Sequence, residues 1–282
     1  MDVDAYLDRI GLSARPAATL AGLTALHRAH LRAIPYEDLD VQLKRPVTIE
    51  RPAIFEKIVT RGRGGWCYEM NGLFGWALGE LGFEVTRVIG AVGVSQDNPE
   101  LNIGNHLVLT VALDGETYVA DVGLSGGPLD PIKLGEGPFS VAGYDYRMER
   151  LGTGWWRFHN DPRCGPPNFD FHPDPADESV LATRCAQLQS EDWSPFVQNL
   201  ICTRFIDGGS VVLLGRFLRT ITLAGRAERV VDSADELVGV LKDDFRIDVP
   251  EAASLWPQVC ERHEVVLARQ AEAAAGAGAS GS

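Results

Sequence analysis

The chain has 282 residues, 45% hydrophobic and 23% charged, which is enough for two or three packed modules and too apolar for global disorder. With 26 Lys and Arg against 39 Asp and Glu, its formal charge of -13 repels polyanions and leaves no electrostatic footprint for nucleic acid. The longest stretch without a charged residue, residues 101–113, is thirteen residues long and includes Asn102, Asn105 and His106, whereas a membrane span needs about 18 or more apolar residues, so no crossing is expected.

The start, MDVDAYLDRIG, is acidic and lacks the basic and apolar regions of a secretory signal. Five cysteines (Cys67, Cys164, Cys185, Cys202 and Cys260) are odd in number, widely spaced and without a CxxC, which disfavours a disulfide framework or a zinc knuckle. Reduced thiols and a cytoplasmic location are the expectation.

Leu20, Leu23, Leu26, His27, His30, Leu31 and Ile34 recur at helical spacing until Pro35. A second helix is written from Cys67 to Gly82, where Met70, Leu73, Phe74, Ala77, Leu78 and Leu81 line one face and Gly82 ends it. From Phe83 the period changes to that of strands: EVTRVIGAVGV, the turn-rich DNPELNIGN, HLVLTVAL, the Asp114-Gly115 turn and ETYVADVG. The antiparallel block is expected to run through Tyr144–Met148 and Trp155–Phe158 and to break at the proline-rich stretch from Pro162 to Pro175. From about Trp193 follow the strands ICTRFI, SVVLLG, FLRTITLAG and RAERVV, then a helix opened by the capping box Ser233/Glu236, a final helix from Pro250 to Gln270 and a low-complexity ending expected to fray.

The chemistry concentrates in RGRGGWCYEMNGLF, residues 61–74. Cys67 falls in the first turn of a helix after a glycine-rich approach, where backbone N–H groups favour an anion, and a neighbouring cation can bring such a thiol from about 8.5 into roughly 3.5–7.5. A nucleophilic thiol needs a base, and the base an orienting group. His106 opens a strand, and Asp121 is an acid within an apolar strand that must be paired if buried. The Asp114-Gly115 turn makes those strands neighbours, with the two side chains within a couple of residues of facing one another. Asn71, four residues after Cys67, shares its helix face and can hold the acid.

RGGWCYEMNG, the histidine of NHLVLTV, the aspartate of VADVGLSGGPLDPI and the upstream IPYEDL together resemble the arylamine N-acetyltransferases, in the same order and at similar spacing. The resemblance implies an α+β fold made of an N-terminal helical bundle (1–83), a central antiparallel β-barrel (84–192) and a C-terminal α/β lid (193–282), with a cysteine-protease-like Cys-His-Asp site. It implies ping-pong acetyl transfer from acetyl-coenzyme A to arylamines or arylhydrazines through Cys67, with His106 as base and Asp121 as orienting acid. Acetyl-coenzyme A would be a co-substrate; no permanently bound cofactor or metal is implied. A salt bridge of Arg63 with Glu37 would fix the loop that delivers Cys67, and Gly126 and Gly127 would admit a ligand close to the backbone. Tyr36, Asp38 and Leu124 stand where the family commonly has phenylalanine, asparagine and phenylalanine; Tyr36 and Leu124 would form part of the acceptor pocket wall.

Other readings are weaker. Gly123–Gly127 satisfies GxSxG, yet Gly126, Gly127, Pro128 and Pro131 follow it instead of the helix that a serine nucleophile elbow requires. Cys260 and His263 read as a surface pair on the last helix. A transglutaminase-like or thiol-hydrolase activity would use the same triad order, and a ligand-binding relative would need no activated thiol.

Overall fold

The computed structural model describes the backbone of residues 1–93, 102–152 and 154–279, with side chains of the last helix to residue 272. Residues 97–101 of the turn-rich DNPELNIGN (97–105) and the final residues 280–282 lie outside the described residues. Helix α1 (Val3–Arg9) is capped by Asp2, and α2 (Leu20–Ala33) by Thr19. After a short strand β1 (Tyr36–Glu37) come α3 (Leu39–Gln42), α4 (Arg51–Phe55), which runs on into a π-helical turn at Glu56–Thr60, and α5 (Cys67–Glu80). Leu23, Leu26, Leu73, Phe74 and Leu78 from these helices form one core with Leu109 and Val111 of the following sheet. That shared core seats α5 directly on the strand that carries His106.

Eight strands build the main sheet: β2 (Glu84–Val92), β3 (His106–Leu113), β4 (Glu116–Val119), β5 (Ile132–Lys133), β6 (Gly137–Val141), β7 (Tyr144–Arg150), β8 (Trp156–His159) and β9 (Asn168–Pro175). Their order is β5-β4-β3-β2-β9-β8-β7-β6, antiparallel throughout. The hydrogen bonding is therefore open, with β5 and β6 as edges, where the sequence reading expected a barrel. Ile132 from one edge and Phe139 from the other pack into the same core around Phe158 and Phe169, so the sheet is curled upon itself. Asp114 and Gly115 both have positive φ, 51° and 79°, the geometry of the tight hairpin that joins β3 to β4.

The proline-rich stretch does not end the sheet. Phe169, Asp170 and Phe171 pair with β2 on one side and β8 on the other, while Pro173 and Pro175 lie at the exposed end, past a register shift between Val88 and Gly90. Proline's missing N–H is tolerated there because few ladder bonds remain to be made. Next comes α6 (Glu178–Leu188), capped by Asp177, which the sequence reading passed over, and then the short α7 (Pro195–Gln198).

A second sheet has the order β1-β10-β11-β12-β13, adding β10 (Ile201–Ile206), β11 (Gly209–Leu214), β12 (Phe217–Thr222) and β13 (Gly225–Val230). Tyr36–Glu37, far upstream in sequence, is thus its edge strand. Alternation divides its faces: Cys202, Val211, Leu213 and Leu218 pack on Leu237 and Leu241 of α8 (Ala234–Asp243), and the other face is left for a cavity. Ser233 Oγ accepts from the Glu236 N–H at 3.1 Å as expected of the N-cap of α8, but the Glu236 carboxylate accepts the Asp232 N–H at 2.6 Å rather than that of Ser233, so the capping box is formed on one side only. The last helix opens as a 3₁₀ segment, Pro250–Leu255, and continues as α9 (Trp256–Ala279), beyond the predicted end at Gln270.

Candidate active site

Cys67 is the first residue of α5, and its approach loop is pinned from several sides. Gly65 exchanges backbone hydrogen bonds with Pro35 and Glu37, and the Arg9 guanidinium donates to the carbonyls of Gly62 and Arg63. Gly64 is required by space, because a Cβ there would stand 2.1 Å from the Pro35 carbonyl oxygen. Arg63 donates to Glu37 at 3.0 and 2.8 Å and to Asp40 at 3.2 Å. Lys57 meets Asp40 at 2.9 Å and both carboxylate oxygens of Glu69 at 2.9 Å. Glu69 also accepts from the Trp66 backbone N–H at 3.2 Å, the N-cap of α5. The Arg63–Glu37 pair is thus one part of a buried network of two cations and three carboxylates. Burial works against the Lys57 charge, but Glu37, Glu69 and Asp40 outweigh it and hold the ammonium well above its ordinary range.

His106 opens β3 with its ring edge-on to Phe169, and its Nε2 lies 2.7 Å from Asp121 Oδ2. Asp121 is not within a strand. Pairing ends at Thr110↔Val119, and the carboxylate sits two residues past the end of β4, where the chain leaves the sheet to cross the start of α5. Gly123 makes that crossing possible: a Cβ there would lie 2.8 Å from Cys67 Cα. Asp121 Oδ1 accepts from Asn71 Nδ2 at 2.7 Å and from the Gly123 N–H at 2.8 Å. Asn71 is itself fixed by donating to the Leu107 carbonyl at 2.6 Å and accepting from the Val122 N–H at 2.9 Å.

Burial pushes the Asp121 carboxyl up, but the His106 charge and these hydrogen bonds prevail and hold it below its ordinary 3.8. For His106, burial opposes the charge, while the Asp121 carboxylate and a hydrogen bond with Cys67 favour it, and the imidazole is raised from 6.5 to about 10. With Nε2 committed to Asp121, Nδ1 is the ring atom left for the thiol. The arrangement can hold a proton between sulfur and imidazole beside a fixed carboxylate.

The site opens on a cavity of about 740 Å³ between the two sheets, lined by Cys67, His106, Tyr36, Leu124 and Gly126. Gly127 instead lines an adjoining space of about 70 Å³. Asp121, Asn71, Glu37 and Arg63 lie behind the cavity surface. Ser125 of the GxSxG pattern hydrogen-bonds Thr203 at 2.6 Å, and no helix follows it. His263, read as a surface residue, is buried with its ring 4.7 Å from that of Phe217.

An N-acetyltransferase family model matches residues 19–254. The arylamine N-acetyltransferase of Mycolicibacterium smegmatis is 36% identical over 260 residues, covering 90% of this chain and 94% of that protein. The chain belongs to the arylamine N-acetyltransferase family. The Escherichia coli arylamine N-acetyltransferase is 31% identical over 253 residues, covering 88% and 89% of the two chains. In three dimensions the M. smegmatis enzyme superposes with a TM-score of 0.84 at 34% identity, over 93% of this chain and 98% of its own. The Mycobacterium marinum enzyme in complex with CoA superposes with a TM-score of 0.84 at 31% identity, over 92% and 98%. The fold is therefore the α+β fold of arylamine N-acetyltransferases.

Several residues around this site were not found from sequence. Lys57 looks like an exposed lysine in IFEKIVT, and Asp40 like a helix-surface acid. Glu69 did carry a signal, since a glutamate three residues after an N-cap is placed to cap the helix. Among the described residues no His, Cys, Asp and Glu group is arranged to hold a metal, and no helix is long and apolar enough to cross a membrane.

Proposed function

We propose that this enzyme transfers the acetyl group of acetyl-coenzyme A to arylamines, arylhydrazines or related amines by a ping-pong mechanism through acetyl-Cys67. One observation carries the reading: a helix-start cysteine shares a buried imidazole with a triply hydrogen-bonded aspartate at the wall of a cavity roomy enough for a cofactor-sized ligand. Cys67 acts as a thiolate paired with the His106 imidazolium and attacks the thioester carbonyl carbon. The C–S bond to coenzyme A breaks, and the coenzyme thiol leaves with the proton from His106. The exchange of one thioester for another is nearly balanced in energy, so the acetyl-enzyme accumulates until an amine arrives.

The amine nitrogen then attacks acetyl-Cys67, His106 takes its proton, and the Cys67 thiolate is expelled. Asp121 supports the imidazolium and fixes its tautomer. Asn71 holds Asp121, while Arg63 and Glu37 hold the Cys67 loop. Tyr36, Leu124 and Gly126 line the acceptor side, and an apolar wall favours aromatic amines that are neutral nucleophiles at pH 7. Five free cysteines fit a reducing cytoplasm.

Intact-protein mass spectrometry after mixing with acetyl-coenzyme A alone tests this. The expected result is one added acetyl group on Cys67, discharged by an aromatic amine as the acetylated amine. No adduct without amine, together with intersecting double-reciprocal lines, would replace the mechanism with direct transfer; rapid loss of the adduct to water regardless of amine would make the protein a thioester hydrolase.

A further inference from the structure

A second, far smaller compartment of about 10 Å³ lies against Asp121, and its lining includes His27, Asp130 and the apolar side chains of Val119, Leu124, Phe158 and Phe169. His27 belongs to α2 and is 1% exposed. Its ring stands edge-on to Phe74 of α5, with centroids 5.8 Å apart, so the packing of the two helices sets its position. The His27 Nδ1 lies 2.9 Å from the Leu129 carbonyl oxygen. A carbonyl only accepts, so this nitrogen carries the hydrogen and Nε2 of the neutral ring is left as an acceptor. Burial holds the imidazole below its ordinary 6.5, although the Leu129 carbonyl and the Asp121 and Asp130 charges favour its proton, so the ring is neutral at pH 7. Nε2 is buried and has no hydrogen-bond partner among the described residues. Asp130 is already engaged, both of its oxygens accepting from Arg28. The compartment therefore sets an unpaired nitrogen acceptor against Asp121, whose oxygens are all acceptors as well.

We propose that this compartment binds a single water molecule, which donates one hydrogen to His27 Nε2 and the other to an oxygen of Asp121, and that His27 is thereby a positioning residue for the triad acid. The assignment rests on the Cys67–His106–Asp121 reading above. Two acceptors that face each other need a donor between them, and water supplies two O–H groups on one atom. The space suits it, since a buried water needs roughly 10–15 Å³ and nothing larger fits. A buried polar atom left unpaired is costly, and the water removes that cost for Nε2. One ring then clasps both ends of the segment from Asp121 to Leu129, the far end directly and the near end through the water. That segment carries Gly123, which crosses Cys67, and Leu124 and Gly126, which line the 740 Å³ cavity. The Asp121 carboxylate is held by Asn71, Gly123 and His106. The water ties the acid to α2, an element that supplies none of those three partners.

The test uses the full-length enzyme with His27→Phe and His27→Asn. Phenylalanine keeps a ring against Phe74 and removes both nitrogens, whereas asparagine keeps a donor for Leu129 and removes the Nε2 acceptor. Crystals of the wild type are expected to show one water within hydrogen-bond distance of His27 Nε2 and of an Asp121 oxygen, and crystals of both variants to show none. The pH profile of Cys67 alkylation reads the thiolate–imidazolium pair, which a loosened Asp121 supports less well. In both variants its acid limb is expected to move up by about one pH unit, a tenfold loss of the ion pair. A merely structural role would lower the melting temperature and leave that limb in place. A dry compartment in the wild type, or a charged His27 ring at pH 7 by nitrogen NMR, overturns the water; an unmoved acid limb in both variants overturns the positioning role. If Cys67 of the wild type takes no acetyl group from acetyl-coenzyme A, the acetyl-transfer reading fails whatever the compartment holds, so the two failures are distinct.

Discussion

Gly123 crosses Cys67 so closely that a Cβ on it would lie 2.8 Å from Cys67 Cα, 3.0 Å from the Cys67 carbonyl oxygen and 2.7 Å from Asn71 Nδ2. The constraint is space, since two of these neighbours are backbone atoms at the start of a packed helix and cannot swing aside. Gly123→Ala is expected to destabilise the fold by about 1–3 kcal/mol through overpacking. It should also lower kcat/KM about a hundredfold by displacing Asp121 from His106. Urea unfolding and initial rates measure the two; wild-type turnover in a folded variant would mean that the crossing does not set the Asp121 position.

The buried network behind Cys67 makes a second expectation. Lys57→Met removes the cation that serves Glu69 and Asp40, leaving carboxylates without their partner in a dry site, at a cost of about 3–5 kcal/mol. Adding Glu69→Gln should recover part of that loss, because the orphaned charge goes while the amide can still meet the Trp66 N–H. Denaturant titration of the single and double variants decides. If the double variant loses the sum of the two single losses, the coupling is absent.

The sequence made Cys67, His106 and Asp121 legible because each breaks a local pattern: a thiol at a helix start, a histidine at a strand start and an acid in an apolar run. Asn71 followed from helix periodicity alone. Asp121 was assigned to the strand interior since VADVG has strand composition, and only the tertiary crossing at Gly123 shows why the chain leaves the sheet there. Prolines 173 and 175 masked β9, because proline weakens a strand by removing donors and an exposed strand end has little need of them. Lys57 and Asp40 were invisible for a different reason. Charges carry no periodic signature, and their burial depends on meeting opposite charges far away in the chain.

His106 supplies a pH dependence with a defined sign. Its folded value, about 10, lies above the ordinary 6.5, so the folded protein binds this proton more tightly than the unfolded chain does. The stability it contributes is complete below about pH 6.5 and is lost as the pH rises through about 10. Asp121 acts at the other end: held below 3.8, it contributes stability above that value, which is lost as the pH falls through its folded value. Urea unfolding between pH 6.5 and 10 should therefore show stability declining, with a shallower decline in Asp121→Asn, whose imidazole has lost its charge partner. The same variant should lose about 10³–10⁴ in kcat, by analogy with the tautomer error in serine triads. A wild-type profile as flat as that of the variant would mean that His106 is not held protonated by Asp121.

Reactivity among the cysteines separates exposure from activation. Cys164 lines the same cavity as Cys67 and is the more exposed of the two. By access alone it should be alkylated first. Yet burial, reinforced by the nearby Asp161 carboxylate, pushes its thiol up to about 11, so at neutral pH it is almost entirely protonated. Cys185 and Cys202 are buried and pushed up as well, chiefly by desolvation. Cys67 is buried but hydrogen-bonded to an imidazole that is held charged. Substoichiometric iodoacetamide at pH 7 followed by peptide mapping should accordingly label Cys67 first, by about tenfold or more over Cys164, and prior incubation with acetyl-coenzyme A should protect it. His106→Asn should abolish that preference while leaving the labelling of Cys164 and of Cys260, on the distant helix α9, as internal references. Labelling of Cys164 ahead of Cys67 in the wild type would show that exposure governs reactivity here and would remove the chemical basis for acetyl transfer through Cys67.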